Sequence, residues 1–327
     1  MSPFLTTLGG GSVRGFGRAF RKIIPGPVQG QQAYTTAGTY AFTVPANVTS
    51  VSMVCVGGGK ASSVNTSPGA GGSLAYTNNY SVSPAQLLYV TVGGTSYSGN
   101  AGNSSRVALA DGTTICRGSG GDSGVANVGD NFYTSGVVYS NSAGMGGAGV
   151  GGYSANGGAG STSGGANGGS SSGGGGGGGG SSPFASYGNS NIGYTTNFVG
   201  GGGGGGGVNI VGAGSNGVGG STGGSFGDFC TGGSGGGGGS SGNSGITGGY
   251  SQGNVDYGLV AGNGGDGGQF GGGGGSIGYW IKYDWDEALQ EFVYAGAEFG
   301  ANGLGANGAV RIIWGPGRSY PSAAANV

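Results

Sequence analysis

Two uninterrupted runs of eight glycines, at 173–180 and 200–207, and two of five, at 235–239 and 271–275, limit what this chain can fold into more than any other feature. Such runs carry no Cβ atoms with which to build a hydrophobic core. Each glycine also loses more backbone freedom on ordering than any other residue. The first reading of residues 144–278 is therefore a flexible linker.

Three features oppose that reading. The runs are separated by inserts rich in aromatic and β-branched residues, at 183–199, 225–230 and 250–260, and such residues are depleted in disordered segments. The runs recur at intervals of roughly 25–35 residues, as stacked rods would. A polyglycine strand in a left-handed helix of three residues per turn also presents no side chain on any face, so neighbours can approach from all sides and share backbone hydrogen bonds. Collagen needs glycine only at every third position; here there is no Gly-X-Y period, and only nine prolines stand in the whole chain. At about 3.1 Å per residue an eight-residue run spans roughly 25 Å. An ordered bundle of polyglycine helices within one chain is expected.

Charge is sparse, at 6% Asp, Glu, Lys and Arg with a net charge of −1, and nucleic-acid binding through a basic surface is not expected. There is no histidine, which removes Ser–His and Cys–His catalysis and the commonest metal ligand. The three cysteines, Cys55, Cys116 and Cys230, are far apart and odd in number, so buried free thiols are expected and neither a metal cluster nor a disulfide framework. No apolar run reaches the 18 or more residues of a membrane span. No cofactor is implied.

Residues 1–33 read as an N-terminal docking arm, with a mobile solvated arm as the competing reading and membrane-surface binding, which the glycines disfavour, as a third. Arg14, Arg18 and Arg21 are interleaved with Phe4, Phe16 and Phe20, aromatic anchors with polar clamps suited to ordering against a partner. No apolar h-region follows the basic residues, so a secretory signal is not expected. Residues 34–140 read as a β-sandwich. Strands are predicted at 39–44, 48–56, 73–79, 87–92, 106–109 and 113–117, with Asp111-Gly112 as a two-residue hairpin signal between the last two. Lys60 after three glycines is not a phosphate loop, because Val54 stands at the first glycine position and Ala61 follows the lysine.

Residues 141–278 form the glycine region and 279–307 an aromatic-acidic insert. That insert holds Trp280, Trp285 and the acids Asp284, Asp286, Glu287 and Glu291, without the order of an EF-hand. It reads either as an exposed recognition loop or as a structural hairpin turning at 285–287. Residues 308–327 supply a closing strand, 308–314, expected to pair with the sandwich and so make the glycine region one long insertion. The fold class is mainly β with polyglycine II and almost no α-helix.

The stretch 38–51 (GTYAFTVPANVTSV) running into glycines, then YSVSP at 80–84, VTVGG at 90–94 and a closing GAVRIIW at 308–314, resembles the glycine-rich domain of tailed-phage tail-fibre and adhesin-like proteins. The resemblance covers roughly residues 37–314. Similar adhesins at the tips of T-even-like fibres pack polyglycine helices, and loops at one end contact the host receptor. The resemblance therefore implies a virion protein, extracellular on a tail or fibre, attached through residues 1–30 to other virion proteins. It implies host binding, to a glycan or outer-membrane protein, through the inserts: Tyr279, Trp280, Tyr283, Trp285 and Tyr294, with Phe184, Tyr187, Tyr194, Tyr250 and Tyr257. The N-terminal sandwich and the Arg/Phe/Gly arm have no counterpart in those adhesins.

The alternative is a purely structural virion decoration or extracellular filament subunit whose inserts contact other copies. Fibre proteins are often trimers, but no heptad repeat sets a homo-oligomer here. A depolymerase using Asp284 with Glu287 or Glu291 lacks a supporting constellation. An ice-binding surface would need a regular Thr or Ala face. Neither is expected.

Overall fold

The computed structural model of the 327-residue chain describes residues 28–63, 67–96, 100–139, 144–161, 165–181, 185–189, 194–213, 215–223, 225–226, 229–240, 242–249, 251–252, 261–322 and 324. They contain no helix. In chain order the strands are β1 (Gly30–Tyr34), β2 (Gly38–Thr43), β3 (Ser50–Val56), β4 (Leu74–Ser81), β5 (Leu87–Val92), β6 (Ser105–Ala108), β7 (Thr114–Gly118), β8 (Asn131–Tyr133), β9 (Ala185–Asn189), β10 (Tyr194–Val199), β11 (Ser225–Phe226), β12 (Phe229–Cys230), β13 (Ser251–Gln252), β14 (Tyr279–Asp286), β15 (Glu291–Phe299) and β16 (Ala309–Trp314). The chain is mainly β, as expected.

Two antiparallel sheets face each other: β1-β16-β3-β4-β8 and β2-β5-β6-β7. Alternation puts Phe42, Leu88, Val90, Val92 and Val107 of one sheet against Val51, Met53, Cys55, Val310 and Ile312 of the other. The six predicted strands are all present, but the turn between the last two is longer than the expected two-residue hairpin: Leu109 donates to the Thr113 carbonyl around residues 110–112, and Gly112 takes φ +88. The closing strand β16 pairs with β1 and β3. Residues 30–33, assigned to the arm on composition, instead form an edge strand, because β16 offers an unpaired edge and Gln31 accepts from the buried Arg311 guanidinium. Residues 1–27 of the arm, with Phe4, Arg14, Phe16, Arg18, Phe20 and Arg21, lie outside the described residues.

The glycine runs form a hydrogen-bonded array with a three-residue period. Along 201–208, N–H groups at 201, 204 and 207 donate to carbonyls at 249, 246 and 243; those at 202, 205 and 208 to 276, 273 and 270; those at 203 and 206 to 179 and 176. Each set descends as the donor number rises, so these three neighbours run antiparallel. The carbonyls at 201, 204 and 207 accept from 233, 236 and 239, those at 202 and 205 from 265 and 268, and those at 203 and 206 from 147 and 150, so these three neighbours run parallel. One run is thus enclosed by six others, and every backbone group from 201 to 207 is paired.

The array also takes in glycine loops of the sandwich. Gly69 and Gly72 donate to Gly274 and Gly271, and Gly274 donates to Lys60. The boundary at 140/141 drawn from composition therefore cuts through one packed unit. Residues 271–278 lead into β14 while 300–308 lead into β16, and the two segments pair antiparallel, Gly300 donating to Gly278 and Ala306 to Gly272. The array thus lies between the sandwich and the sheet that contains β14. Lys60 pairs with Asp122 at 2.8 Å.

Sheet β1-β16-β3-β4-β8 is buried on both faces. Its second face packs Val54, Val56, Leu74, Tyr76 and Ile313 against Val150, Tyr153, Val208, Ile210 and Tyr320. Tyr153 and Tyr320 stack with centroids 5.8 Å apart. Arg311, fully buried beside them, donates to the carbonyls of Ile210 (3.1 Å) and Val211 (3.2 Å), fastening the end of the central run to the sheet.

Burial pushes the Tyr153 hydroxyl well above the usual tyrosine range, with Tyr320 adding to the shift and Arg311 opposing it. Burial raises Tyr320 too, against Arg311 and Arg318. The buried Cys55 thiol is likewise raised, by burial first and then by Cys116. These acids stay protonated in the fold, whereas in the unfolded chain thiols titrate near ~8.5 and tyrosines near ~10. Below those values both states hold the same protons. Above them the unfolded chain releases protons that the fold keeps, so stability falls with pH. Unfolding midpoints are expected to be level from about pH 6 to 8, to decline from about pH 8.5, and to steepen past about pH 10 by up to ~1.4 kcal/mol per pH unit for each buried tyrosine. Tyr320→Phe should flatten that alkaline limb. Denaturant titrations between pH 6 and 11 check this, and a midpoint that holds level to pH 11 would refute it.

Candidate recognition surface

The inserts at 183–199 and 279–299 are far apart in sequence, but the array returns their ends to one place. Val199 leads into the run at 200–207 and Gly278 precedes β14; Gly278 donates to Gly262, and Gly262 and Gly201 both lie beside Gly249. The strands form one antiparallel sheet in the order β15-β14-β10-β9. Tyr194 pairs with Asp284 and Val199 with Tyr279 across β10 and β14. The described residues of the inserts at 225–230 and 250–260 form a second small sheet, β11-β12-β13, and β13 lies against β10 and β14. The described strands of all four inserts are therefore neighbours.

Strands β14 and β15 form the long hairpin of this cluster. The turn lies at 287–290 and not at 285–287, because the Asp286 carboxylate accepts from the N–H groups of Ala288 (2.8 Å) and Leu289 (3.1 Å) and so starts the turn after itself. Trp285 is consequently a strand residue opposite Phe292, and Tyr283 is opposite Tyr294. The register slips between Lys282 and Tyr283, leaving Ala295 as the extra residue of a bulge.

Alternation places Tyr279, Tyr283 and Trp285 on one face, each with a cross-strand aromatic partner. Tyr279 meets Phe299 at 6.2 Å between centroids, Tyr283 meets Tyr294 edge-on at 6.4 Å, and Trp285 meets Phe292 edge-on at 5.2 Å. This ladder is open to solvent, with Tyr294 66% exposed, Phe299 56%, Phe292 47% and Trp285 36%. Contiguous exposed aromatic surface of this kind marks interaction sites. Comparison with protein-family models and with curated proteins returns no match. The surface must therefore be read from its own chemistry.

Of the expected binding residues, Tyr279, Tyr283, Trp285 and Tyr294 share the ladder face. Trp280 falls on the opposite face, where its indole N–H donates to Glu298 at 3.2 Å. Tyr187 and Tyr194 occupy register positions aligned with Lys282 and Asp284, the set alternate to the ladder. The expected residues are thus divided between two faces. Phe184, Tyr250 and Tyr257 lie outside the described residues.

Phe292 and Phe299 were missing from the sequence reading. The signal for Phe292 was its spacing of two from Tyr294; the bulge at Ala295 breaks that spacing before Phe299. Two of the acids have local structural partners. Asp284 pairs with Lys282 at 2.6 Å, and Asp286 holds the turn. Burial followed by Tyr283 raises the Tyr279 hydroxyl above its ordinary range.

Proposed function

We propose that this protein is a virion tail-fibre or tail-tip adhesin that binds a host-surface glycan or outer-membrane protein through the aromatic ladder of β14 and β15. The observation that carries this reading is the gathering of four inserts at one place, with six aromatic rings in cross-strand pairs on a solvent-facing sheet. Tyr and Trp on a rigid strand pair offer large contact area with little rotamer entropy to lose on binding. In the same reading the three-residue hydrogen-bond period belongs to polyglycine II helices, which serve as a stiff spacer, and residues 1–27 attach the protein to the particle. A particle outside the cell has no chaperones, and a backbone-bonded array with few charges suits it.

The test is adsorption competition. Purified protein is expected to bind host cells saturably and to block adsorption of the particle that carries it; folded protein that neither binds nor blocks would refute the reading. One observation favours the structural alternative: β15 is a sheet edge of nine residues with unpaired backbone groups, a site where a further strand can add. In that case the protein would self-associate through β15, extending the sheet from copy to copy.

A further inference from the structure

The described part of the chain holds six basic residues, and their placement is uneven. Lys60 and Lys282 are in ion pairs with Asp122 and Asp284, and Arg311 and Arg318 are buried at the first sheet. Arg106 and Arg117 remain. They stand directly opposite each other on β6 and β7, and neither is in an ion pair with a described residue. Like charges facing each other across a strand pair destabilise the sheet. Two guanidiniums are held in this way on a chain that has only ten Lys and Arg in all.

Their surroundings form a polar row. Thr39 pairs with Thr91, Thr91 with Arg106 and Arg106 with Arg117, so two hydroxyls and two guanidiniums cross the sheet in one line on its outer face. With strands about 4.8 Å apart the line is roughly 14 Å long. It lies in a cleft of about 700 Å³ whose wall includes Asn103 and Ser104. Arg117 is oriented by its Nε, which donates to the Ala126 carbonyl at 2.7 Å. Two residues from Thr91 on the same face, Tyr89 exposes 41% of its surface. The cleft size is that of a small-molecule site. Its chemistry is a doubled cation flanked by hydroxyls and an amide, with Tyr89 on the same sheet face outside the cleft wall.

We propose that this cleft binds an acidic saccharide. The Arg106 and Arg117 forks take its carboxylate or phosphate oxygens. Thr39, Thr91 and Asn103 take ring hydroxyls. The ligand's negative charge relieves the cross-strand repulsion, which accounts for retaining two arginines there. The site stands on the sandwich alone and does not rest on the reading of the hairpin.

The test is calorimetric titration of the full chain with glucose 6-phosphate, glucuronate, glucose and inorganic phosphate at low salt. Glucose 6-phosphate or glucuronate is expected to bind at least ten-fold more tightly than glucose, and more tightly than inorganic phosphate. Arg106→Gln and Arg117→Gln should each weaken acidic-sugar binding ten-fold or more while leaving the melting temperature unchanged or raised. Thr91→Val should weaken the sugar acids but not phosphate. Substitutions in the β14–β15 ladder should change none of this, which separates the cleft from the proposed host-binding face.

Absence of acidic-sugar binding, or binding indifferent to both arginine variants, would overturn the proposal. Equal affinity for inorganic phosphate and glucose 6-phosphate would also overturn it, leaving a bare anion site. Concentration-dependent self-association lost in Arg106→Gln would overturn it in favour of a second copy's acidic hairpin as the occupant.

Discussion

Gly205→Ala is expected to leave little folded protein, although it adds one methyl group. A Cβ at Gly205 would lie 2.0 Å from the Ala148 carbonyl oxygen and 2.4 Å from its carbon. The same holds along the whole run. At 201, 204 and 207 the Cβ would meet carbonyls of 263, 266 and 269; at 202 and 205, those of 145 and 148; at 203 and 206, those of 234 and 237. The N–H groups of the run thus point at its antiparallel neighbours, while the missing Cβ positions point at parallel ones. Space for a methyl group cannot come from a side-chain rotation, because the obstructing atoms are backbone that is itself bonded to further runs.

Overpacking an ordinary core costs about 1–3 kcal/mol. With no rotamer available to yield, ~3 kcal/mol or more is expected here, against a total stability of only ~5–15 kcal/mol. The melting temperature should fall by roughly 10 °C or more, or the protein should collect in the insoluble fraction. Gly296→Ala is the matched control. Its Cβ would meet only Trp280 ring atoms at 3.9 Å, an ordinary contact, and its melting temperature should stay within a few degrees of the parent. If Gly205→Ala melts with Gly296→Ala, the runs are not packed as described.

The sandwich was legible because its strands alternate. Leu87 to Val92 reads as one polar-apolar strand, and Val51 to Val56, buried on both faces, shows as a valine-rich run. Strand β1 was not legible, since Gly30-Gln31-Gln32-Ala33-Tyr34 has one inward apolar residue, Tyr34, and is recruited by the β16 edge and Arg311. The inserts were visible one at a time. Their union was not, because Tyr194 and Asp284 are brought together by the constant offsets of backbone bonds between glycine runs, and a glycine run carries no sequence signal for its offset. The Arg106–Arg117 row was hidden for a related reason. Arg106 and Arg117 look isolated until three strand registers are known, and one of them, β6 with β7, contains a shift between Val107 and Ala108.

Replacing Trp285, Phe292 and Tyr294 together by serine is expected to abolish host-cell binding and adsorption blocking while the protein stays folded. Deleting the whole hairpin is a weaker experiment, since β14 is an inner strand and its loss leaves β10 paired with β9 alone. Trp285 and Phe292 lie beyond β10's last partner, Asp284, where only β15 faces β14, and Tyr294 stands on β15 opposite Tyr283, one position inside that limit. Their removal costs cross-strand pairs worth about 0.2–1 kcal/mol each, paid within a hairpin that does not enter the array. Aromatic hot spots cost ≥ ~2 kcal/mol each in binding, and at ~1.4 kcal/mol per decade the loss for three exceeds ~100-fold even without full additivity. A triple variant with the parent's melting temperature and no binding to cells would assign recognition to the ladder face. Lys282→Ala with Asp284→Ala, on the opposite face of the same strand, should bind as the parent does. Retained blocking by the ring variant together with loss in the Lys282/Asp284 variant would move the site to the face that Trp280 shares, and would make the ladder a contact between copies.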